Sequence, residues 1–291
     1  MTISLLRHTL RSRRLAIIWF SVGTLFYSLL TMALWPFSSS LDLAAMFEQL
    51  PDSVRSAFFG PGIGGQSVME TTFFQYLAAR YGTWLPLILG YFGIWLGAGI
   101  IAREYDRDSL DLLLAQPLTR IQLALAKYAG AIFASIPVVA LSAIGLLIGV
   151  ALWGDGMELS AGAISLMHVQ ALLFTAAAMA IGLLLASIFL EPGKSYGLAA
   201  GIMVIMYLGN LVAQFVDSIS WLRYGSLFHY WQPVNELSSG KLDSGSALTM
   251  AAIAGVAMVA HVSCQGWLGQ DTQGGEIVPA VSTKTSPLTG R

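Results

Sequence analysis

Residues 103–127 read REYDRDSLDLLLAQPLTRIQLALAK, the densest run of charge in a chain of 291 residues. Uncharged, apolar sequence flanks it on both sides, Tyr81–Ala102 before it and Tyr128–Gly154 after it. A helix needs roughly 20 mainly apolar residues to cross the hydrocarbon core of a bilayer. Each flank therefore predicts one crossing, and the charged run is the connection between them.

The same rule finds four further spans: Leu15–Trp35, Leu159–Leu190, Ser195–Val216 and Ser244–Gln270. Composition agrees, with 56% hydrophobic and only 11% charged residues, where soluble domains carry about 25% charged. The expected fold is an all-α integral membrane protein with six transmembrane helices. Eleven of the fifteen Lys and Arg, including Arg7, Arg11, Arg13 and Arg14, fall on the side of residues 103–127. The positive-inside rule then puts that connection and both termini in the cytoplasm. Arg55, Arg80, Arg223 and Lys241 fall on the other side.

These spans divide the chain into an amphipathic amino-terminal helix over 1–14, a six-helix domain over 15–267 and a mobile cytoplasmic tail over 268–291. The domain includes an external loop at 36–82, the cytoplasmic segment 103–120 and an external aromatic loop at 217–243. In the first loop, Leu43, Met46, Phe47 and Leu50 share one stripe of a surface helix. In the last, Trp221, Tyr224, Phe228, His229, Tyr230 and Trp231 suit a membrane–water interface. Pro233 and Gly240 there allow a shallow, partly re-entrant element.

Within the charged run, Asp108 suits an N-cap, and Asp111 in the first turn is favoured by the helix dipole. Leu110, Leu113 and Leu114 then share a face until Pro117 breaks the chain. Thr119 and Gln122 form a capping box, with Leu118 and Leu123 as its hydrophobic staple. The third membrane helix should therefore begin near Arg120. A plain helix–helix connection takes about 2–8 residues, so this one holds a short crosswise helix with an apolar face of its own. On the residues alone, that face has two candidate counterparts: a partner protein, or lipid and neighbouring helices.

Several function classes lose support. Gly193-Lys194-Ser195 ends like a phosphate-binding loop, but residue 188, where the first glycine belongs, is Ile188, and a membrane helix rather than a strand precedes it. A net charge of −1 provides no field for nucleic acid, and one cysteine provides no multi-cysteine metal site. His8, His168, His229 and His261 are too scattered for a membrane enzyme. A secondary transporter or channel would place charges within the spans, and none has one centrally. Asn210 and Gln214, one turn apart, are intramembrane amides suited either to interhelical hydrogen bonds or to a substrate path. Gly93-x-x-x-Gly97, Gly145-x-x-x-Gly149 and Gly197-x-x-x-Gly201 would each admit a close helix.

Ala102-Arg103-Glu104, the run Asp108–Arg120 and then Lys127 resemble the hallmark of type-2 ATP-binding-cassette (ABC) exporter permeases. That hallmark is an acidic residue, a leucine-rich Thr-Leu-Glu-Leu-Leu-Leu stretch, Pro-Val-Ser-Arg and a following Lys. Ser109, Asp111, Leu118 and Thr119 depart from it mildly, and Asp108 stands where glycine is usual. Phe228-His229-Tyr230-Trp231-Gln232-Pro233 is similar to the family's aromatic-proline segment. The resemblance implies a permease subunit in a prokaryotic cell membrane that exports a drug, lipid or peptide by alternating access. It also implies a second permease copy or paralogue, surrounding membrane lipid, and a separate ABC ATPase that binds ATP and Mg, this chain having no cofactor and no catalytic residue. Carried over, Glu104, Asp108, Leu110, Asp111, Leu113, Leu114 and Arg120 would form or flank the coupling helix that docks on the ATPase. Glu191–Ser195 would be a minor contact. A permease-like subunit serving signalling or assembly rather than transport remains the alternative.

Overall fold

The computed structural model describes residues 2–40, 68–105, 120–154, 156, 159–189 and 192–271. Among them every regular element is a helix. Helix α1 (Thr2–Ala33) continues almost directly into α2 (Trp35–Ser40). After α3 (Val68–Leu77), a π-helical turn over Ala78–Gly82 leads without a break into α4 (Thr83–Tyr105). Helices α5 (Arg120–Trp153), α6 (Ala161–Ile188) and α7 (Pro192–Val212) follow. Two 3₁₀ turns, Asp217–Gly225 and Leu227–Tyr230, and the short α8 (Pro233–Ser239) then precede α9 (Ser244–Asp271).

Among the described residues, five helical stretches are long and apolar enough to cross a membrane, against the six expected: Arg13–Ser38, Ala124–Trp153, Ala161–Ile188, Gly193–Val212 and Ser244–Cys264. Helix α5 starts at Arg120, where the capping box predicts, and stays helical through Pro137. Ser160 caps α6, its Oγ accepting from the Gly162 N–H at 3.2 Å. The first two turns of α6 belong to the bundle, with Ile164, Met167 and His168 buried. The surface helix predicted within 41–59 lies outside the described residues.

Helix α6 is the centre. It packs against α4, α5, α7, α8 and α9, and two thirds of its most apolar window is buried, against 17% for α7. Its alanines, Gly182 and two glycines of α4 allow this. A Cβ on Gly97 would sit 2.0 Å from the Met179 carbonyl oxygen, one on Gly93 2.6 Å from Thr175 O, and one on Gly182 2.6 Å from Ile94 O. The α4–α6 contact is thus backbone on backbone, the arrangement that small residues permit in membrane bundles. Gly145 and Gly149 do the same for α5 against α1, with Leu25 O and Met32 Cβ at 2.8 and 2.6 Å from a built Cβ.

Helix α1 is amphipathic with its polar side inward. Ser21, Thr24, Ser28 and Thr31 are buried, while Leu15, Ile18, Trp19, Val22, Phe26 and Leu30 face outward. Thr24 Oγ1 donates across the seam to Val138 O at 2.9 Å. A helix in lipid hides its polar stripe, the reverse of a helix in water.

Candidate functional site

The chain brings its polar chemistry to the two ends of the bundle. One end carries the connection between α4 and α5. Glu104 lies in the last turn of α4 and Arg120 is the first residue of α5, so the two helix ends frame the segment between them. Asp108, Leu110, Asp111, Leu113 and Leu114 lie outside the described residues, as does the crosswise helix expected there.

Beside this frame, Arg13 of α1 is buried. Its Nη2 donates to Gly99 O of α4 at 2.6 Å, and its guanidinium carbon lies 4.8 Å from the Trp95 ring centre. Gly99 makes the room: a Cβ there would fall 2.5 Å from Arg13 Nη2 and 2.6 Å from the Tyr196 hydroxyl of α7. Helices α1, α4 and α7 therefore meet about one turn before residue 103, where the connection begins. Lys127 is buried in the second turn of α5. In the α6–α7 turn, Ser195 Oγ donates to Phe189 O. That hydroxyl ties the turn together, which does not suit a phosphate loop.

At the opposite end, four elements share one hydrogen-bonded knot. His168 Nδ1 lies 2.8 Å from Ile164 O. A carbonyl only accepts, so Nδ1 carries the proton and Nε2 is an acceptor. The Tyr81 hydroxyl donates to that Nε2 at 2.8 Å and accepts from Ser142 Oγ at 2.7 Å. Ser28 Oγ lies 3.2 Å from Ser142 and donates to Thr24 O at 2.8 Å. The knot joins α1, the π-helical turn, α5 and α6. Tyr81→Phe leaves His168 Nε2 without its donor in a buried site. The expected loss is about 1–3 kcal/mol of stability, read as a lower melting temperature in detergent; an unchanged melting temperature would make the knot incidental.

A cap formed by the 3₁₀ turns and α8 covers this end. Trp231 Nε1 donates to Gly82 O at 2.7 Å, and Gln170 Nε2 of α6 donates to Tyr230 O at 2.5 Å. Phe174 meets Phe228 edge-on at 5.3 Å. The aromatic loop is therefore divided. Trp221 and Tyr224 remain exposed, as an interfacial belt requires, whereas Leu227, Phe228 and Trp231 are buried in the bundle. Pro233, Val234, Glu236 and Leu237 form the buried face of α8. Glu236 is fully buried, and neither carboxyl oxygen has a hydrogen bond. Burial pushes this carboxyl up to about 8, the nearby Asp243 backbone N–H opposing the shift and the Asp243 charge adding to it.

Asn210 and Gln214 come together near the cap end of α7, both half-buried, with Gln214 Nε2 donating to Asn210 O at 3.2 Å. The Asn210 side-chain oxygen is buried without a hydrogen bond. Along the outer side of α7, a built Cβ on Gly193, Gly197 or Gly201 would meet nothing within 4 Å. Gly197 and Gly201 line an open apolar groove of about 480 Å³ with Phe189, Leu198, Ile202 and Ile205, and with Lys194 at one end.

Sequence reasoning missed Arg13, Tyr81, His168 and Glu236. Only Glu236 left a local signal: with Pro233 three residues before it and Val234 and Leu237 beside it, helical spacing sets the carboxyl on the apolar face. His261 in the last helix is fully buried.

The sequence profile of a family described as "ABC-2 family transporter protein" matches residues 6–265. No curated protein matches the chain.

Proposed function

The chain belongs to the ABC-2 transporter family, and on that premise we propose that it is the membrane-spanning permease subunit of an ATP-driven exporter. The observation that carries the reading is the family match across nearly all the helices, with α4 and α5 ending and beginning around the motif-bearing connection. In this reading α4 is a sixth span, both termini are cytoplasmic, and the protein is a multi-pass component of a prokaryotic plasma membrane. As is typical of the family, the membrane subunit is not catalytic; ATP and Mg bind a separate ATPase.

Residues 108–116 form the coupling helix, with Glu104 and Arg120 at its flanks. Two permease subunits assemble, and the groove on α7 supports their meeting there: Gly197-x-x-x-Gly201 differs from the two glycine pairs buried within the chain by facing outward. Nucleotide binding draws the ATPase pair together, and the coupling helices move as rigid bodies with the helices they join. The Arg13–Gly99 contact passes that movement from α4 to α1. Inverting a 1:99 balance between inward- and outward-open states takes about 5.5 kcal/mol of differential nucleotide affinity. In this reading Asn210 and Gln214 line the path of a drug, lipid or peptide cargo, a role supported by the buried Asn210 side-chain oxygen that has no hydrogen bond.

The test is co-purification with an ATPase encoded beside the permease. Glu104→Ala is expected to weaken the complex and Leu113→Asp to abolish it, because the latter puts a carboxylate on the apolar docking face. Unchanged assembly in both variants would overturn the coupling assignment.

A further inference from the structure

Glu236 is the one acidic side chain among the described residues that is buried outright. It belongs to a seven-residue helix that touches α6, α3 and the π-helical turn. The described titratable or charged groups on those elements are committed elsewhere or exposed. His168 of α6 takes the Tyr81 hydroxyl and gives its own proton to Ile164 O. Tyr76 of α3 donates to Thr31 O, and Arg80 is exposed. Beyond α8, Lys241 is exposed, and the Asp243 carboxylate accepts from Ser246 Oγ and the Gly245 N–H, which holds it below its usual range. None of them hydrogen-bonds the Glu236 carboxyl. An ionised carboxylate without a partner is far costlier to bury than a neutral one.

We propose that Glu236 is a proton-binding site that latches the cap: with the proton on, α8 lies down on α6, and losing the proton lifts α8 away. Leu237 and Val234 leave the core together with the carboxyl, and the Trp231–Gly82 hydrogen bond beside them is strained or lost. The sign follows from linkage. With α8 lifted, Glu236 regains water and an ordinary carboxyl affinity, about 4.3; with α8 down, the carboxyl keeps its proton up to about 8. Between those values the lifted form binds fewer protons, so rising pH favours lifting, by up to about tenfold per unit. Above about 8 the carboxyl ionises even in place and the balance becomes flat. His229 in the neighbouring 3₁₀ turn is held below its usual value by burial and by Arg223. Its titration acts in the opposite direction, so the test must cancel it.

The latch rests on the permease reading for its physiological meaning, namely control of the outer mouth, but its test needs neither ATPase nor cargo. Cys264 is the only cysteine, so a Cys264→Ser chain carrying Leu237→Cys reports lifting through reaction of the buried position with a maleimide. The full chain in lipid nanodiscs is labelled from about pH 5.5 to about pH 7.5, inside the window where the two forms bind different numbers of protons, with Glu236 present and with Glu236→Gln. The rate with Glu236 divided by the rate with Glu236→Gln cancels thiol chemistry and His229. That ratio should rise at least tenfold over the range, with the Glu236→Gln chain the slower at the upper end. Hydrogen exchange of the α8 amides in the chain with native Leu237 and Cys264, compared with Glu236→Gln alone, should show the same divergence. Ratios within twofold at every pH in both measurements would overturn the latch. A failed ATPase co-purification beside a rising ratio would overturn the permease reading and leave the latch standing.

Discussion

Gly97→Leu is expected to destabilise the fold by about 3 kcal/mol or more. A Cβ alone at this position comes 2.0 Å from the Met179 carbonyl oxygen and 2.8 Å from its carbon. Those are backbone atoms of the central helix, so no rotamer change relieves the contact. Relief requires α4 to move off α6, opening the packing of Phe92, Leu96 and Leu183, which are all completely buried. Overpacking an interior costs about 1–3 kcal/mol and occasionally more, and a whole leucine against backbone belongs at the upper end. Whole-protein stabilities run about 5–15 kcal/mol. The measurement is the yield of monodisperse protein and its melting temperature in detergent, with Gly97→Ala as an intermediate step. Gly197→Leu supplies the contrast: nothing surrounds that position, so the isolated chain should melt as the parent does. Equal behaviour of the two leucine variants would refute backbone-on-backbone packing of α4 and α6.

Gly201→Trp should leave the single chain intact and break the assembly. The indole would enter the groove between Leu198 and Ile205, where a Cβ meets nothing within 4 Å. Tryptophan covers about 150–250 Å², enough to keep a second helix from approaching the glycine stripe. In nanodiscs the permease is expected to change from two copies per particle to one, with an unchanged melting temperature for the isolated chain. Transport by the assembled exporter should fall more than tenfold. Two copies per particle, with transport intact, would remove α7 from the seam.

Five of the six expected spans were legible in the sequence, because membrane spans announce themselves by length and lack of charge. The start of α5 at Arg120 was legible too, since Thr119 and Gln122 are a local signal. What lay hidden was which side of each helix faces inward. In water, apolar residues mark the inside; in this chain both the lipid face and the core are apolar, so periodicity carries little information. The four buried hydroxyls of α1 are the clearest case, for they reveal the inside only once the reversed solvent is taken into account. Long-range pairings were hidden for a different reason. Tyr81 and His168 are 87 residues apart and Trp231 and Gly82 are 149 apart, and no local pattern specifies such partners. Arg13 looked like one more positive-inside arginine among Arg7, Arg11 and Arg14. Only Gly99, by lacking a Cβ, gives it somewhere else to go.

The hydroxyl stripe of α1 also bears on how the protein is made. Thr24 and Ser28 both reach partners on α5, 114 residues later in the chain. Synthesis at about 5–20 residues per second leaves a wait of roughly 6–23 s before Val138 and Ser142 exist. Asparagines in the same places would spend that wait unsatisfied in hydrocarbon. Serine and threonine bend back to their own helix instead: Thr24 to Ser21 O, Ser28 to Thr24 O and Thr31 to Tyr27 O. The first helix can thus enter the bilayer with every one of those three hydroxyls already bonded, and be recognised by α5 when it arrives.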